Sequence, residues 1–186
     1  ELVEKGMLCS SCCPGFVGYI KKKHPEMENL ISRTPSPMVM IGLHIKEKDP
    51  DAKVIFIGPC VAKKKEFQLG KTMGAIDCVL TFEELREWFE EENTDLSLAG
   101  NVERLTRISR FFPETGGIIK SMDTRTSGYH YLAVDGVKDC ISALKNIVSG
   151  KLTNCFVEMS ICRGSCINGP MVRQYREEML GSTIKL

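Results

Sequence analysis

The stretch Ser10-Ser11-Cys12-Cys13-Pro14-Gly15-Phe16 sets two adjacent cysteines directly before a Pro-Gly pair. Two later stretches carry similar chemistry, Gly58-Pro59-Cys60-Val61-Ala62-Lys63 and Cys162-Arg163-Gly164-Ser165-Cys166. Thiols that three separate loops present beside Gly or Pro are typical of a cluster held by thiolates from distant parts of a fold. The pattern indicates an iron-sulfur site, although the spacing of Cys162 and Cys166 is also compatible with zinc.

The composition is that of a globular protein with balanced charge. The chain has 186 residues, 42% hydrophobic and 26% charged, so it can bury a core as one domain or as two tightly joined lobes. Its 25 Lys and Arg nearly balance its 24 Asp and Glu, which leaves no global field to attract nucleic acid or an anionic membrane. There is no apolar run long enough to span a bilayer and no signal-peptide pattern at the amino end. We therefore predict a cytoplasmic protein that binds neither nucleic acid nor membrane.

Nine cysteines are a high count for this length. In a reducing compartment such cysteines more often bind metal or take part in chemistry than form disulfides. Cys78, Cys140 and Cys155 stand alone, which favours buried structural roles, and Cys9 in Met-Leu-Cys favours packing over ligation. Three histidines argue weakly against zinc because none has metal-ligand spacing to the thiols: His24, His44 and His130.

Lys63 follows Cys60 closely and permits two interpretations. The run Lys63-Lys64-Lys65-Glu66 is typical of a solvated surface. If Lys63 points inward, however, its ammonium could donate to an anionic ligand. The sequence leaves both possibilities open.

Strands and helices alternate along the chain. Helices are predicted at residues 16–23, 37–48, 82–92 and 137–148, and a short helix ending at about residue 122. The capping box Thr81-Phe82-Glu83-Glu84 marks the start of the helix at 82–92, and a turn at 113–117 precedes the short helix. Strands are predicted at residues 53–57, as a buried apolar run, and at 75–80, 129–134 and 155–157. Residues 93–101 are predicted to be a surface loop, and 102–112 are ambiguous. The alternation predicts an α/β fold of two βα-type lobes with mixed sheets, the second and third thiol motifs at strand ends and the site in the cleft between the lobes.

Together the three motifs resemble the active-site domain of the di-iron (FeFe) hydrogenases. Residues 10–16 are similar to the family's Thr-Ser-Cys-Cys-Pro-Gly-Trp, and residues 59–66 to its Pro-Cys-x-x-Lys-x-x-Glu. Glu158 followed by Cys162-x-x-x-Cys166-x-x-Gly169 is similar to the third motif, in the same order. Weaker likeness at residues 36–37, 76–81 and 115–117 extends the resemblance over nearly the whole chain.

The resemblance implies an H-cluster, in which a 4Fe-4S cubane joins a di-iron subcluster through a cysteine sulfur. The cubane ligands would be Cys13, Cys60, Cys162 and Cys166, with Cys166 as the bridge. Cys12 would pass protons, and Lys63 would hydrogen-bond a cyanide of the di-iron unit. Ser36 and Glu66 match polar positions of the family, Ser36 in its proton route. The implied reaction is the reversible reduction of protons to dihydrogen, in an anaerobe, with electrons from a ferredoxin-like partner or appended iron-sulfur modules.

Several positions depart from the catalytic members of that family. Gly58 and Ser160 stand where those members carry Met, which is expected to enlarge the di-iron pocket. Residues 112–117 read Phe-Pro-Glu-Thr-Gly-Gly rather than Phe-Gly-Ala-Thr-Gly-Gly, and Phe16 replaces Trp. These changes resemble sensory hydrogenases, which are often coupled to a signalling domain. Related assembly or scaffold proteins form a third class, although they usually lack the paired cysteines.

The family's active-site domain extends well before the first motif. The chain begins with Glu1, and its first thiol motif lies only a few residues further on. Residues 1–186 are therefore expected to form a fragment of a hydrogenase-like H-cluster domain, without the N-terminal portion. Alone, this fragment is expected to be inactive and either to be empty or to hold an incomplete cluster.

Overall fold

The computed structural model describes residues 1–70, 72, 74–95, 108–124 and 128–172. Their strands form a three-stranded sheet of order β1-β5-β4 and a two-stranded sheet of β2 and β3. The strands are β1 (Met7–Cys9), β2 (Ile55–Gly58), β3 (Cys78–Thr81), β4 (His130–Asp135) and β5 (Cys155–Ser160). The predicted α/β class is confirmed. The prediction of mixed sheets is wrong for the described residues, because every strand pair in them is parallel.

The five predicted helices begin and end close to the predicted positions, and the described residues also form two short helices, α1 (Leu2–Lys5) and α4 (Lys63–Glu66), that the sequence did not predict. The predicted helices are α2 (Pro14–Lys23), α3 (Pro37–Lys48), α5 (Phe82–Glu91), α6 (Gly117–Ser121) and α7 (Val137–Val148). Pro37 is the first residue of α3 because its fixed φ suits a helix start, and it needs no N–H partner there. At the start of α5, Glu84 N–H donates to Thr81 Oγ1 at 3.2 Å and Thr81 N–H donates to Glu84 Oε2 at 2.8 Å. This is the predicted capping box.

The core of the first lobe lies between its sheet and helices α2 and α7. Phe16 and Ile20 of α2 and Leu144 of α7 are buried against β5. Cys9, Cys140 and Cys155 are buried in the same core, which confirms their predicted structural roles. Cys78 is only partly buried at the start of β3. Burying a side chain of the size of Phe16 contributes about 2 kcal/mol.

The second lobe has a thinner core, and one prediction fails there. Val54 and Phe56 pack with Met38 and Val39 of α3, but Ile55 is 50% exposed and Ile57 43% exposed. The predicted buried strand is therefore buried on one face only. The physical reason is the period of two in a strand, since α3 covers one face of the two-stranded sheet and the alternate side chains point away from it.

Two further points concern the predicted loops and possible membrane spans. The predicted loop at 93–101 and the ambiguous stretch 102–112 lie mostly outside the described residues. Within the described ranges, none of the helices has both the length and the apolar character that crossing a bilayer requires.

Candidate metal centre

Cys13 is the residue that precedes α2, and its thiol is held by two backbone groups. Its Sγ accepts hydrogen bonds from Phe16 N–H at 3.4 Å and from Ile161 N–H at 3.5 Å. Pro14 starts the helix, and Gly15 leaves room for the following loop, since a Cβ on Gly15 would lie 3.0 Å from Ile161 Cγ2. The Pro-Gly pair thus packs the first motif against the loop that follows β5.

Cys60 lies two residues beyond the end of β2, as predicted. Its carbonyl accepts a hydrogen bond from Lys63 N–H at 3.2 Å, in the turn that leads into α4. Gly169 of the third motif packs on this turn, because a Cβ there would lie 3.1 Å from Cys166 O and 3.2 Å from Pro59 O. The glycine therefore allows the loops that carry Cys60 and Cys166 to touch.

Cys162 and Cys166 belong to a tight loop directly after β5, again at a strand end. Ser165 N–H donates to Cys162 O at 3.0 Å, and Ser165 is buried at a φ of +59°. A positive φ is strained for a residue with a Cβ, so neighbouring contacts must hold this turn in place. One such contact joins the Ser160 and Ser165 hydroxyl oxygens at 3.0 Å.

The four thiols from three loops share one site. Burial first, and then the nearby thiols of Cys13, Cys60 and Cys162, raise the pKa of Cys166 to about 11. In the described ranges, no three Cys, His, Asp or Glu side chains are close enough to hold a single metal ion. Sulfurs around a cubane are about 6 to 7 Å apart, against less than about 4 Å around one zinc ion. A set of four cysteine thiols fits an iron-sulfur cubane.

Comparison with known proteins shows which protein family this chain is similar to. Residues 1–129 and 120–170 match the family model described as iron only hydrogenase large subunit, C-terminal domain. The chain belongs to this family. The chain is 22% identical to iron hydrogenase 1 of Clostridium pasteurianum over 210 residues, which covers 86% of this chain and 37% of that protein.

Other proteins similar to this chain are named for a different role, the assembly of Fe-S clusters. The chain is 32% identical over 108 residues to the cytosolic Fe-S cluster assembly factor NAR1 of Vanderwaltozyma polyspora, an alignment that covers 56% of this chain and 20% of that protein. A solved structure of the FeFe-hydrogenase HydA1 from Chlamydomonas reinhardtii shares the fold, with a TM-score of 0.67, 17% identity, and coverage of 94% of this chain and 66% of that one. The chain thus spans less than half the length of NAR1 and of iron hydrogenase 1.

Lys63 lies inside this hydrogenase-like iron-sulfur domain rather than on its surface. It is 8% exposed, and its Nζ donates to Glu66 Oε2 at 2.6 Å and to Cys12 O at 3.4 Å. Lys64, by contrast, pairs with Glu84, and Lys65 is exposed. The structure therefore gives Lys63 the inward direction that the sequence had left open.

Cys12 is adjacent to the buried ion pair of Lys63 and Glu66. Burial raises the pKa of the Cys12 thiol to about 11, with the positive charge of Lys63 acting against the shift and the negative charges of Glu158 and Glu66 adding to it. At neutral pH Cys12 is consequently a protonated thiol. A thiol in this state can donate a proton to a neighbouring group and be reprotonated.

Glu158 has a structural role that the sequence did not reveal. Its side chain is 2% exposed, and it accepts hydrogen bonds from the N–H groups of Gly116 at 3.0 Å and of Ile118 and Ile119 at 3.1 Å. Burial raises the pKa of this carboxyl, and the backbone N–H groups act in the opposite direction. The carboxylate caps α6, a helix about 40 residues earlier in the chain. The sequence signals for this site were the Gly-Gly turn and the position of Glu158 in the third motif, and neither indicated the contact between them.

Ser36 is a buried residue directly before α3. It is 2% exposed at the start of α3, and its hydroxyl has no hydrogen-bond partner among the described residues.

Ser32, a residue that the sequence did not indicate, donates to Glu1 Oε2 at 2.8 Å. No local motif marks that pair, because the two residues are far apart in the sequence.

Gly58 and Ser160, the two positions at which the sequence departs from an expected Met, differ in their surroundings. A Cβ on Gly58 would lie 2.8 Å from Phe56 Cε1 and 2.9 Å from Phe56 Cζ. The Phe56 ring therefore occupies the space beside Gly58, and the enlargement of the di-iron pocket stays a prediction. At Ser160 the hydroxyl bonds Ser165 instead of facing empty space.

Proposed function

We propose that this chain is the cubane-binding part of a hydrogenase-type protein, with Cys13, Cys60, Cys162 and Cys166 as ligands. The observation that supports it most is the position of Cys166, whose thiol is near the thiols of the other three. Each of these cysteines is partly buried, so a cluster would be shielded from water without being sealed from an electron partner. Shielding of this kind sets the potential of iron-sulfur clusters.

In the complete protein we propose a di-iron subcluster joined through Cys166, as in an H-cluster. When bound, this group would supply the reversible conversion of two protons and two electrons to dihydrogen. The chain itself would contribute Cys12 as the proton-passing thiol and Lys63 as a buried cation for an anionic ligand. Glu66 would orient Lys63 through their 2.6 Å ion pair. Ser36 offers an unused hydroxyl for the proton route.

Anaerobic reconstitution of the 186-residue chain with iron and sulfide tests the ligand set. We expect about four irons per chain and the electron paramagnetic resonance signal of a reduced cubane. Changing any one of the four cysteines to Ala should reduce iron content and broaden or abolish the signal. Cys78→Ala is the matched control, because Cys78 is also a partly buried thiol but belongs to β3. Equal iron loss in the control and the ligand variants would refute the assignment.

Hydrogen chemistry needs a separate test in the full-length protein. Loading it with a synthetic di-iron complex should give the infrared bands of bound carbon monoxide and cyanide. The loaded protein should also catalyse measurable isotope exchange between dihydrogen and deuterated water. Lys63→Ala should reduce retention of the di-iron unit and leave the cubane signal in place. Full retention in that variant would contradict the role proposed for Lys63.

Two other functions are supported by particular observations. A sensory hydrogenase is favoured by Gly58 and Ser160, and it predicts low turnover together with an appended signalling domain. An assembly role is favoured by the likeness to NAR1, and it predicts a stable cubane without uptake of a di-iron unit. The loading experiment separates all three, because only a hydrogenase-type protein combines di-iron uptake with substantial hydrogen activity.

We propose a ferredoxin-like protein or appended iron-sulfur modules as the electron partner, and the cytoplasm as the location. The near balance of 25 basic and 24 acidic residues supports a local docking patch rather than a global charge attraction. Reduction of the reconstituted cubane by a reduced ferredoxin, followed optically, tests the first part. Absence of electron transfer to an intact cubane would refute it.

A further inference from the structure

Glu158 connects the central strand of the first sheet with a loop from another part of the chain. It belongs to β5, and the preceding residue Val157 pairs with Cys9 of β1. Ser10 N–H donates to Val157 O at 2.9 Å, and Met159 N–H donates to Ser10 Oγ at 3.0 Å. The strand register therefore places Glu158 beside Ser10, two residues before Cys12.

The loop capped by Glu158 is fastened at two more points. At one end Ile167 N–H, inside the third thiol motif, donates to Pro113 O at 3.2 Å. In the middle Thr115 Oγ1 donates to Asp135 Oδ2 at 2.6 Å, at the end of β4. The turn at residues 113–117 thus touches the end of β4, the side chain of Glu158 and the loop of the cubane ligands.

The chemistry of the cap requires a group that only accepts hydrogen bonds. Both carboxylate oxygens of Glu158 face backbone N–H donors, one oxygen toward Gly116 and the other toward Ile118 and Ile119. An amide in this place would turn its NH2 group toward at least one of those donors. Gln is therefore a poor substitute, although it has nearly the same shape.

We propose that Glu158 is a positioning residue that holds the turn at 113–117 against the ligand loop, and that the turn held in this way limits access to Cys12. The importance of Cys12 rests on the proposed function, but the contacts of Glu158 do not depend on a bound cluster. Loss of the carboxylate frees the start of α6 and removes one of three attachments of the turn. The neighbouring thiol then becomes open to larger molecules.

Alkylation of Cys12 in the metal-free 186-residue chain tests this proposal. Its rate is measured by mass spectrometry with a small reagent, iodoacetamide, and with a bulky polyethylene-glycol maleimide. Removing the Glu158 charge changes thiolate content and so scales both rates alike, whereas opening of the turn favours the bulky reagent. In Glu158→Ala we expect the ratio of the bulky to the small rate to rise about tenfold, as for the loss of one helix cap.

Glu84→Ala is the matched control, since Glu84 is also a capping carboxylate but serves α5. Its ratio should stay at the wild-type value. The buried thiol of Cys155 must remain unlabelled as a sign of intact folding. If Glu158→Ala exposes Cys155, Glu158→Gln is measured in the same way and should also raise the ratio.

Three results would overturn the proposal. One is an unchanged ratio in a folded Glu158 variant. Another is an equal rise in Glu84→Ala. The last is rapid exchange of the Ile118 and Ile119 amides with deuterium in the wild-type chain, which would show that the cap does not hold. We expect these amides to exchange as slowly as those of β5. A chain that fails to bind iron would refute the proposed function and leave these measurements unaffected.

Discussion

Gly58→Met would place a side chain where the Phe56 ring now lies. A Cβ at this position would be 2.8 Å from Phe56 Cε1, closer than carbon atoms pack, so the ring must move. The backbone at Gly58 does not have a positive φ, so the ring is the main obstacle. Overpacking of this kind costs about 1 to 3 kcal/mol. Phe56→Leu should relieve it, although by itself it removes packing from the second lobe.

A double-mutant cycle by urea unfolding of the metal-free chain measures this coupling. We expect Phe56→Leu with Gly58→Met to be more stable than the sum of the single changes predicts, by at least about 1 kcal/mol. Ile57→Met is the control, because Ile57 is 43% exposed on the opposite face, and its effect should stay within about 0.5 kcal/mol. Additivity of the two changes within about 0.5 kcal/mol would refute the inferred contact.

The contact between Phe56 and position 58 also leads to a prediction for hydrogen activity. If the absence of Met restrains turnover, the double change Gly58→Met with Ser160→Met should raise the activity of a fully loaded, full-length protein only when Phe56→Leu is also present. Catalytic-class rates in the unchanged protein would remove the main support for a sensory function.

The remaining predictions concern the buried ion pair, the buried thiols and a close backbone contact. Lys63→Ala should lower the free energy of unfolding, measured by urea titration, by about 3 kcal/mol, because it leaves the Glu66 carboxylate buried without its partner. Lys65→Ala is the control, since Lys65 is exposed and its removal should change this free energy little. Burial raises the pKa of Cys9 to about 12 and of Cys140 to about 11, from an ordinary 9.0. Since the folded state binds these protons more tightly than the unfolded state, the stabilising contribution of the two thiols is fully present below pH 9 and is lost as the pH rises toward 11. The melting temperature of the metal-free chain should therefore fall between pH 9 and pH 11, and a rise over this interval would contradict the assignment. Gly117→Ala should prevent α6 from docking, because a Cβ there would overlap Phe111 O. Gly18→Ala in the open interior of α2 should instead stabilise the chain by roughly 0.5 to 1 kcal/mol. Equal melting temperatures for the two variants would show that the close contact is not maintained.

Local signals in the sequence determined most helix boundaries and the order of the thiol motifs. Pro37 starts α3, and Thr81 with Glu84 starts α5, because helix starts depend on residues within a few positions. Cys60 and Cys162 follow strands for the same reason, since an apolar run that ends at turn residues marks a strand end. The resemblance of the motifs was sufficient to place the chain in its family before any distance was known.

Only the tertiary structure decided which groups face one another. The sequence left Lys63 between surface and interior, and the fold buries it beside Cys12. It gave no sign that Glu158 would cap α6 or that Phe56 would cover Gly58. It also suggested a fully buried β2, yet Ile55 and Ile57 are exposed on the face away from α3. Burial and capping at these positions depend on chain segments far apart in sequence, so short-range patterns cannot specify them.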